Sequence, residues 1–153
     1  MANTYTQLYI QFVFAVKYRI SIIQPEWEDE LYKYITGIVR NYGHKIIALN
    51  GMHDHTHVFL GFHTTQTISD LMRLVKGESS EWINTRNFCN GRFVWQEGYG
   101  AFSYSRIQVN QVCQYINNQK IHHGKKSFLD EYKLLLQEFD ISYDERYIFK
   151  ATE

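Results

Sequence analysis

The stretch His55-Thr56-His57-Val58-Phe59-Leu60-Gly61-Phe62 reads as a strand. Successive side chains of a strand point to opposite faces, so His55 and His57 share one face while Thr56, Val58 and Leu60 point to the other. Val58 and Leu60 then belong to the core. Two imidazoles two positions apart on a rigid strand can present themselves to one metal ion, and a strand holds that geometry better than a loop. The same spacing also suits a merely solvated pair. His53 shares the alternation, so a three-histidine site from His53, His55 and His57 is open on paper, although residues 50–54 read as a turn.

Working outward toward the N-terminus, Asn50-Gly51 is a turn signal, and His44 to Leu49 reads as the preceding strand. Before it, Pro25 opens a helix with Glu26, Glu28, Asp29 and Glu30 where the helix dipole favours negative charge. Trp27, Leu31, Ile35 and Val39 form its apolar stripe, and Gly43 caps its end. Leu8, Ile10, Phe12, Phe14 and Val16 alternate with their neighbours, giving a first strand over 5–16. Toward the C-terminus, Thr67 and Asp70 start a helix reaching about Asn84, with Ile68, Leu71, Val75 and Trp82 buried. Residues 85–100 read as a loop, Ala101 to Ser105 as a strand, and about 108–123 as a third helix. Ser127 and Asp130 cap a fourth, 128–139. The order β-α-β-β-α-β plus two helices predicts an α+β fold: a ferredoxin-like or RNA-recognition-like antiparallel sheet with helices on one face.

The chain has 153 residues, 44% hydrophobic and 16% aromatic, which suits a single domain, 1–153, with an ample core. Cys89 and Cys113 form no spacing motif, which argues against a disulfide scaffold or a cysteine zinc site. No apolar run approaches the ~20 residues of a membrane span, and nothing at the N-terminus reads as a signal peptide, so the expectation is a cytoplasmic protein. Net charge is zero with a pI near 7.1, unlike a generic basic nucleic-acid coat. Local basic patches remain: Lys17-Tyr18-Arg19, Arg73 with Lys76, and His122-His123-Gly124-Lys125-Lys126.

A second signal lies in the third helix. Val109, Val112 and Ile116 make its apolar stripe. At 100° per residue Tyr115, Gln119 and His122 fall along one adjacent stripe, so Tyr115 and Gln119 are neighbours one turn apart. A phenol can attack phosphorus and hold a covalent intermediate. Its free pKa of ~10 means it needs help at neutral pH, which a divalent ion can supply. A glutamine carbonyl can be a third, neutral ligand. Taken alone, a tyrosine beside an apolar stripe is also ordinary packing.

Together these segments resemble the small single-tyrosine HUH transposases of insertion sequences, including the type associated with palindromic repeats. The residues carrying the likeness are His55-Thr56-His57, Trp95-Gln96-Glu97-Gly98-Tyr99-Gly100-Ala101-Phe102-Ser103, and Tyr115-Ile116-Asn117-Asn118-Gln119. Lys76 to Asn84, the histidines 122–123 and the Phe128–Tyr147 region match as well. Thr56 departs from the family's bulky middle residue, and His53 stands where the family often has proline.

The resemblance implies that Tyr115 attacks a phosphodiester of single-stranded DNA, forming a 5′-phosphotyrosine and a free 3′-hydroxyl, with strands later rejoined. It implies Mg²⁺ or Mn²⁺ held by His55, His57 and Gln119, no nucleotide cofactor, DNA with hairpin ends, and a homodimer. Arg73, Lys76, Arg86 and Arg92 are the expected DNA-binding surface. Two other readings stand beside it. One is a domesticated HUH nuclease acting on chromosomal palindromes. The other is a non-catalytic nucleic-acid-binding module that stacks bases on Tyr9 and Phe59.

Overall fold

The computed structural model describes residues 3–18, 21–122 and 126–149. Strand β1 (Tyr9–Ala15) alternates as expected, and its two faces divide the molecule. It pairs antiparallel with β3 (His55–Gly61) on one side and β4 (Gly100–Tyr104) on the other. Strand β2 (Lys45–Met52) pairs with β3, so the order is β2-β3-β1-β4, the ferredoxin-like arrangement.

On one face lie α1 (Pro25–Asn41) and α2 (Ile68–Arg86). Phe12, Phe14, Val58 and Leu60 point into that layer and meet Leu31, Ile35, Leu71 and Val75 in the main core. Pro25 opens α1, and Thr67 Oγ1 accepts from the Asp70 amide to cap α2, both as the sequence predicts.

Four of the expectations need correction. Helices cover both faces of the sheet: α3 (Val109–Asn117) packs on Ala48 and Phe59, and α5 (Phe128–Glu138) on Val13, Ala15 and Phe102. Hydrophobic periodicity reveals that a helix has a buried side but not which side of a sheet receives it. Asn50 and Gly51 are paired within β2, opposite His57 and Thr56, and the chain reverses at His53-Asp54. Tertiary pairing here overrides the turn preference of the dipeptide. The first strand is shorter than predicted, with Val16 making only an isolated bridge to Trp95. Finally, the third helix is not continuous to residue 123. It stops at Asn117, and α4 (Gln119–His122) follows as a separate turn. The Asn50 side-chain amide donates to the carbonyls of Ile116 and Asn117 at 3.0 and 3.2 Å, taking acceptors that a continuing helix would use.

Residue Arg19 and residues 123–125 of the two basic patches lie outside the described residues. Among the described residues no helix is long and apolar enough to cross a membrane.

Candidate metal and nucleophile site

Strand parity puts His55 and His57 on the α3/α5 face, where both are fully buried. Each ring is oriented through Nδ1. Asp54 Oδ1 lies 2.7 Å from His55 Nδ1, and Gln11 Oε1 lies 2.7 Å from His57 Nδ1. A carboxylate and an amide oxygen only accept, so both Nδ1 atoms carry the proton and both Nε2 atoms present lone pairs. Gln11 is itself held, its amide nitrogen donating to the Tyr104 hydroxyl at 2.8 Å. Burial holds the His55 imidazole below its ordinary value, against the opposing pull of Asp54. Burial acts most strongly and raises the Asp54 carboxyl, but the hydrogen bond to His55, the electrostatic pull of His55 and His53 and a backbone hydrogen bond together outweigh it, so the net shift is downward. The lowered His55 value favours a neutral imidazole, and the lowered Asp54 value an ionised carboxylate that accepts its Nδ1 hydrogen.

Tyr115 and Gln119 come to the same place, despite the break at Asn118. The Tyr115 ring stands edge-on to His57 at 6.0 Å between centroids. Gln119 is fully buried, its Oε1 3.0 Å from His55 Nε2. Its amide nitrogen donates to Glu131 Oε2 at 2.9 Å, which fixes the amide so that the oxygen faces the histidine.

Glu131, on α5, is the member that sequence reasoning missed. It is buried, with Oε1 3.1 Å from His57 Nε2 and 3.5 Å from His55 Nε2. Tyr115 donates its hydroxyl hydrogen to Glu131 Oε2. Burial, followed by the Glu131 charge and that hydrogen bond, pushes the Tyr115 hydroxyl well above its ordinary value. Phe128, one turn earlier, stacks on the His55 ring at 4.1 Å. The signal was present: Glu131 sits inside the Phe128-Tyr132-Leu135-Leu136 stripe, where an acidic residue is out of place.

The donor set fits a divalent cation. Two imidazole lone pairs, an amide oxygen and a carboxylate oxygen all face one another, and the ligand atoms of His55, His57 and Glu131 lie within 4.8 Å of one another. Acceptors aimed at acceptors repel unless a positive charge sits among them. The mixture of two nitrogens with oxygens suits Mn²⁺ and its neighbours better than Mg²⁺, which prefers oxygen throughout. His53 is exposed at the turn and takes no part, so the three-histidine alternative is not formed.

The expected DNA-binding residues lie elsewhere. Arg73 is exposed on α2, 3.8 Å from Asp70. Arg86 bonds Glu30 at 3.4 Å and covers the rings of Trp82 and Phe88. Arg92 is exposed in the following loop. Lys76 is half-buried, its ammonium donating to the carbonyls of Gln96 and Gly98, so it fastens the loop before β4. These residues belong to the α1/α2 side, away from Tyr115. Phe59 is fully buried under α3, which removes one of the two stacking platforms a binding module would need.

A four-stranded antiparallel sheet carrying a His-x-His strand beneath a tyrosine helix defines a HUH-type arrangement. Residues 4–119 match the family model "Transposase IS200 like", and the chain belongs to that family. The ISDra2 transposase TnpA of Deinococcus radiodurans is 26% identical over 118 residues, covering 74% of this chain and 84% of the relative. Among solved structures, a candidate transposase from Deinococcus radiodurans aligns with a TM-score of 0.61 at 26% identity, covering 78% of this chain and 95% of that one. A REP-associated tyrosine transposase bound to a REP hairpin also aligns at 0.61, with 16% identity, covering 100% of this chain and 96% of the other. That last likeness concerns the fold.

Proposed function

We propose that this chain is a single-tyrosine HUH transposase that cleaves and rejoins single-stranded DNA at insertion-sequence ends through a 5′-phosphotyrosine. Tyr115 is the nucleophile, and His55, His57, Gln119 and Glu131 hold Mn²⁺ or Mg²⁺. The observation that carries this reading is the convergence of four acceptor atoms beside one tyrosine hydroxyl.

When bound, the ion polarises the scissile phosphate and offsets charge developing on its oxygens. The remaining chemistry belongs to the chain. Glu131 aims the Tyr115 oxygen toward the histidines and is the nearest acceptor for its proton. The tyrosine oxygen bonds to phosphorus, the bond from phosphorus to the 3′-oxygen breaks, and that oxygen leaves as a hydroxyl after taking a proton. The phosphotyrosine conserves the bond, so no nucleotide triphosphate is consumed. Attack by a 3′-hydroxyl on the same phosphorus rejoins strands and frees Tyr115. Asp54 and Gln11 keep the two Nε2 lone pairs available throughout.

The substrate is DNA with hairpin ends, contacted on the α1/α2 side by Arg73, Arg86 and Arg92, with Lys76 shaping the adjoining loop. The working assembly is a homodimer, as the family resemblance implies.

The test is incubation of the protein with single-stranded DNA spanning both flanks of its gene, with Mn²⁺, on a denaturing gel. A covalent adduct on one strand, lost in Tyr115→Phe and with chelator, is the expected result. An adduct that persists in Tyr115→Phe overturns the assignment of the nucleophile. Hairpin binding that ignores chelation, with no adduct, overturns the enzymatic reading.

A further inference from the structure

Tyr115 lines a cleft of about 740 Å³ between α3 and α5, far more space than one phosphate requires. Its volume falls in the range of small-molecule sites, and its lining mixes aliphatic side chains with amide, hydroxyl and charged groups. Val112, Leu134 and Leu135 supply apolar wall. Gln108, Gln111 and Glu138 supply the polar groups used here.

The state of those three side chains limits what they can bind. Gln108 Oε1 already accepts from the Ser105 amide at 2.9 Å and from its hydroxyl at 3.2 Å, so its NH₂ is the end left to a ligand. The Gln111 amide and the Glu138 carboxylate make no side-chain hydrogen bond among the described residues, and both are exposed. Apart from Glu131, which belongs to the metal group, the charged side chains lining the cleft are one carboxylate, Glu138, and one ammonium, Lys126, which together carry no net charge. A phosphodiester gains nothing from that balance, whereas a neutral nucleobase does. Carboxylates accept from base amino groups, and glutamine amides donate to base carbonyls and ring nitrogens.

We propose that this cleft takes the unpaired base of a nucleotide flanking the phosphate attacked by Tyr115, and that it selects guanine over thymine. Guanine offers an amino group and a ring N–H to Glu138 and a carbonyl to Gln108 or Gln111. Thymine has no exocyclic amine to give the carboxylate. The inference rests on the proposed reaction, since Tyr115 ties the cleft to the scissile phosphate. The base can belong to the nucleotide on the 5′ or the 3′ side of that phosphate.

The test uses the full chain with Mn²⁺ and a pool of single-stranded DNA carrying its own gene flanks, randomised at the two positions on each side of the cleavage point. Covalent adducts, which keep the nucleotides 3′ of the cleavage point, and the released 3′-hydroxyl strands, which keep those on the 5′ side, are both isolated and sequenced, and base frequencies are normalised within each protein variant. Wild type is expected to enrich guanine over thymine at one flanking position by at least about fivefold, the low end of discrimination by a good paired contact. That position identifies the side. Glu138→Gln and Gln111→Leu should each reduce the preference there to less than about twofold while leaving the other randomised positions unchanged. Both residues are exposed, so neither change disturbs the core. No preference in wild type, or one that both variants retain, overturns the cleft as a base reader and assigns selection to the DNA itself. Absence of adducts from every pool overturns the reaction on which the inference stands, and the inference with it.

Discussion

Thr56 lies between the two site histidines and points away from them, into the α1/α2 core. It is fully buried, and its hydroxyl oxygen has no hydrogen-bond partner among the described residues. Burying an unsatisfied hydroxyl costs about 1–3 kcal/mol, whereas an apolar group of the same shape carries no such penalty. Thr56→Val keeps the β-branch and replaces the hydroxyl with a methyl, so it should stabilise the fold by about 1–2 kcal/mol. For a chain of this length each kcal/mol moves Tm by about 2–4 °C, giving an increase of about 2–8 °C. The assay is thermal unfolding with chelator present, followed by Mn²⁺ titration of the same variant. Because residue 56 projects from the opposite face, metal affinity should stay within about twofold of wild type. An unchanged or lower Tm would refute the reasoning, because it would mean the hydroxyl is satisfied in solution. A stabilised variant with much weaker metal binding would refute the independence of the two faces.

Glu131→Gln removes the carboxylate while conserving volume, and it should weaken Mn²⁺ binding by at least about tenfold, a loss reached even when groups merely supporting a ligand are removed. Calorimetric titration measures this, and an unchanged affinity would leave Glu131 only as the partner of Tyr115. A Cβ at residue 51 would stand 2.2 Å from the His55 carbonyl oxygen. Gly51→Ala should therefore cost about 1–3 kcal/mol in urea unfolding and weaken metal binding with it, since relief of the clash moves His55. Burial lowers the His55 pKa in the fold, so below the unfolded value of ~6.5 the unfolded chain binds the extra proton. Stability of the metal-free protein should be full above pH ~6.5 and decline as pH falls through that value toward the folded pKa. Asp54, lowered from 3.8, adds a similar loss only in a more acidic range. Denaturant midpoints at a series of pH values check this, and a flat profile between pH ~6.5 and 5 would contradict a buried neutral His55.

The parts of the fold written in short-range pattern were legible. Alternation in β1 and β3 placed His55 and His57 on one face, and Thr67 and Ser127 marked helix starts because a cap is a contact three residues long. The parts that depend on distant partners were not. Asn50-Gly51 carries turn chemistry, yet pairing with β3 holds it in a strand. The break after Asn117 is made by Asn50, 66 residues before the carbonyl it takes on Ile116. Helix periodicity at 100° per residue brought Tyr115 and Gln119 together on paper, and they do meet, but across a break rather than along one helix. Glu131 was visible as a misplaced charge in an apolar stripe, though no local rule says which site across the sheet face it serves.

The family match stops at Gln119, and Glu131 lies 12 residues beyond it. Two imidazoles and an amide, all inside the shared region, make a neutral ligand set. In the proposed ligand set the formal negative charge comes from Glu131 on α5, outside residues 4–119. A change in that helix alone can alter the net charge of the centre, and so its appetite for one ion over another, while the common architecture stays as it is.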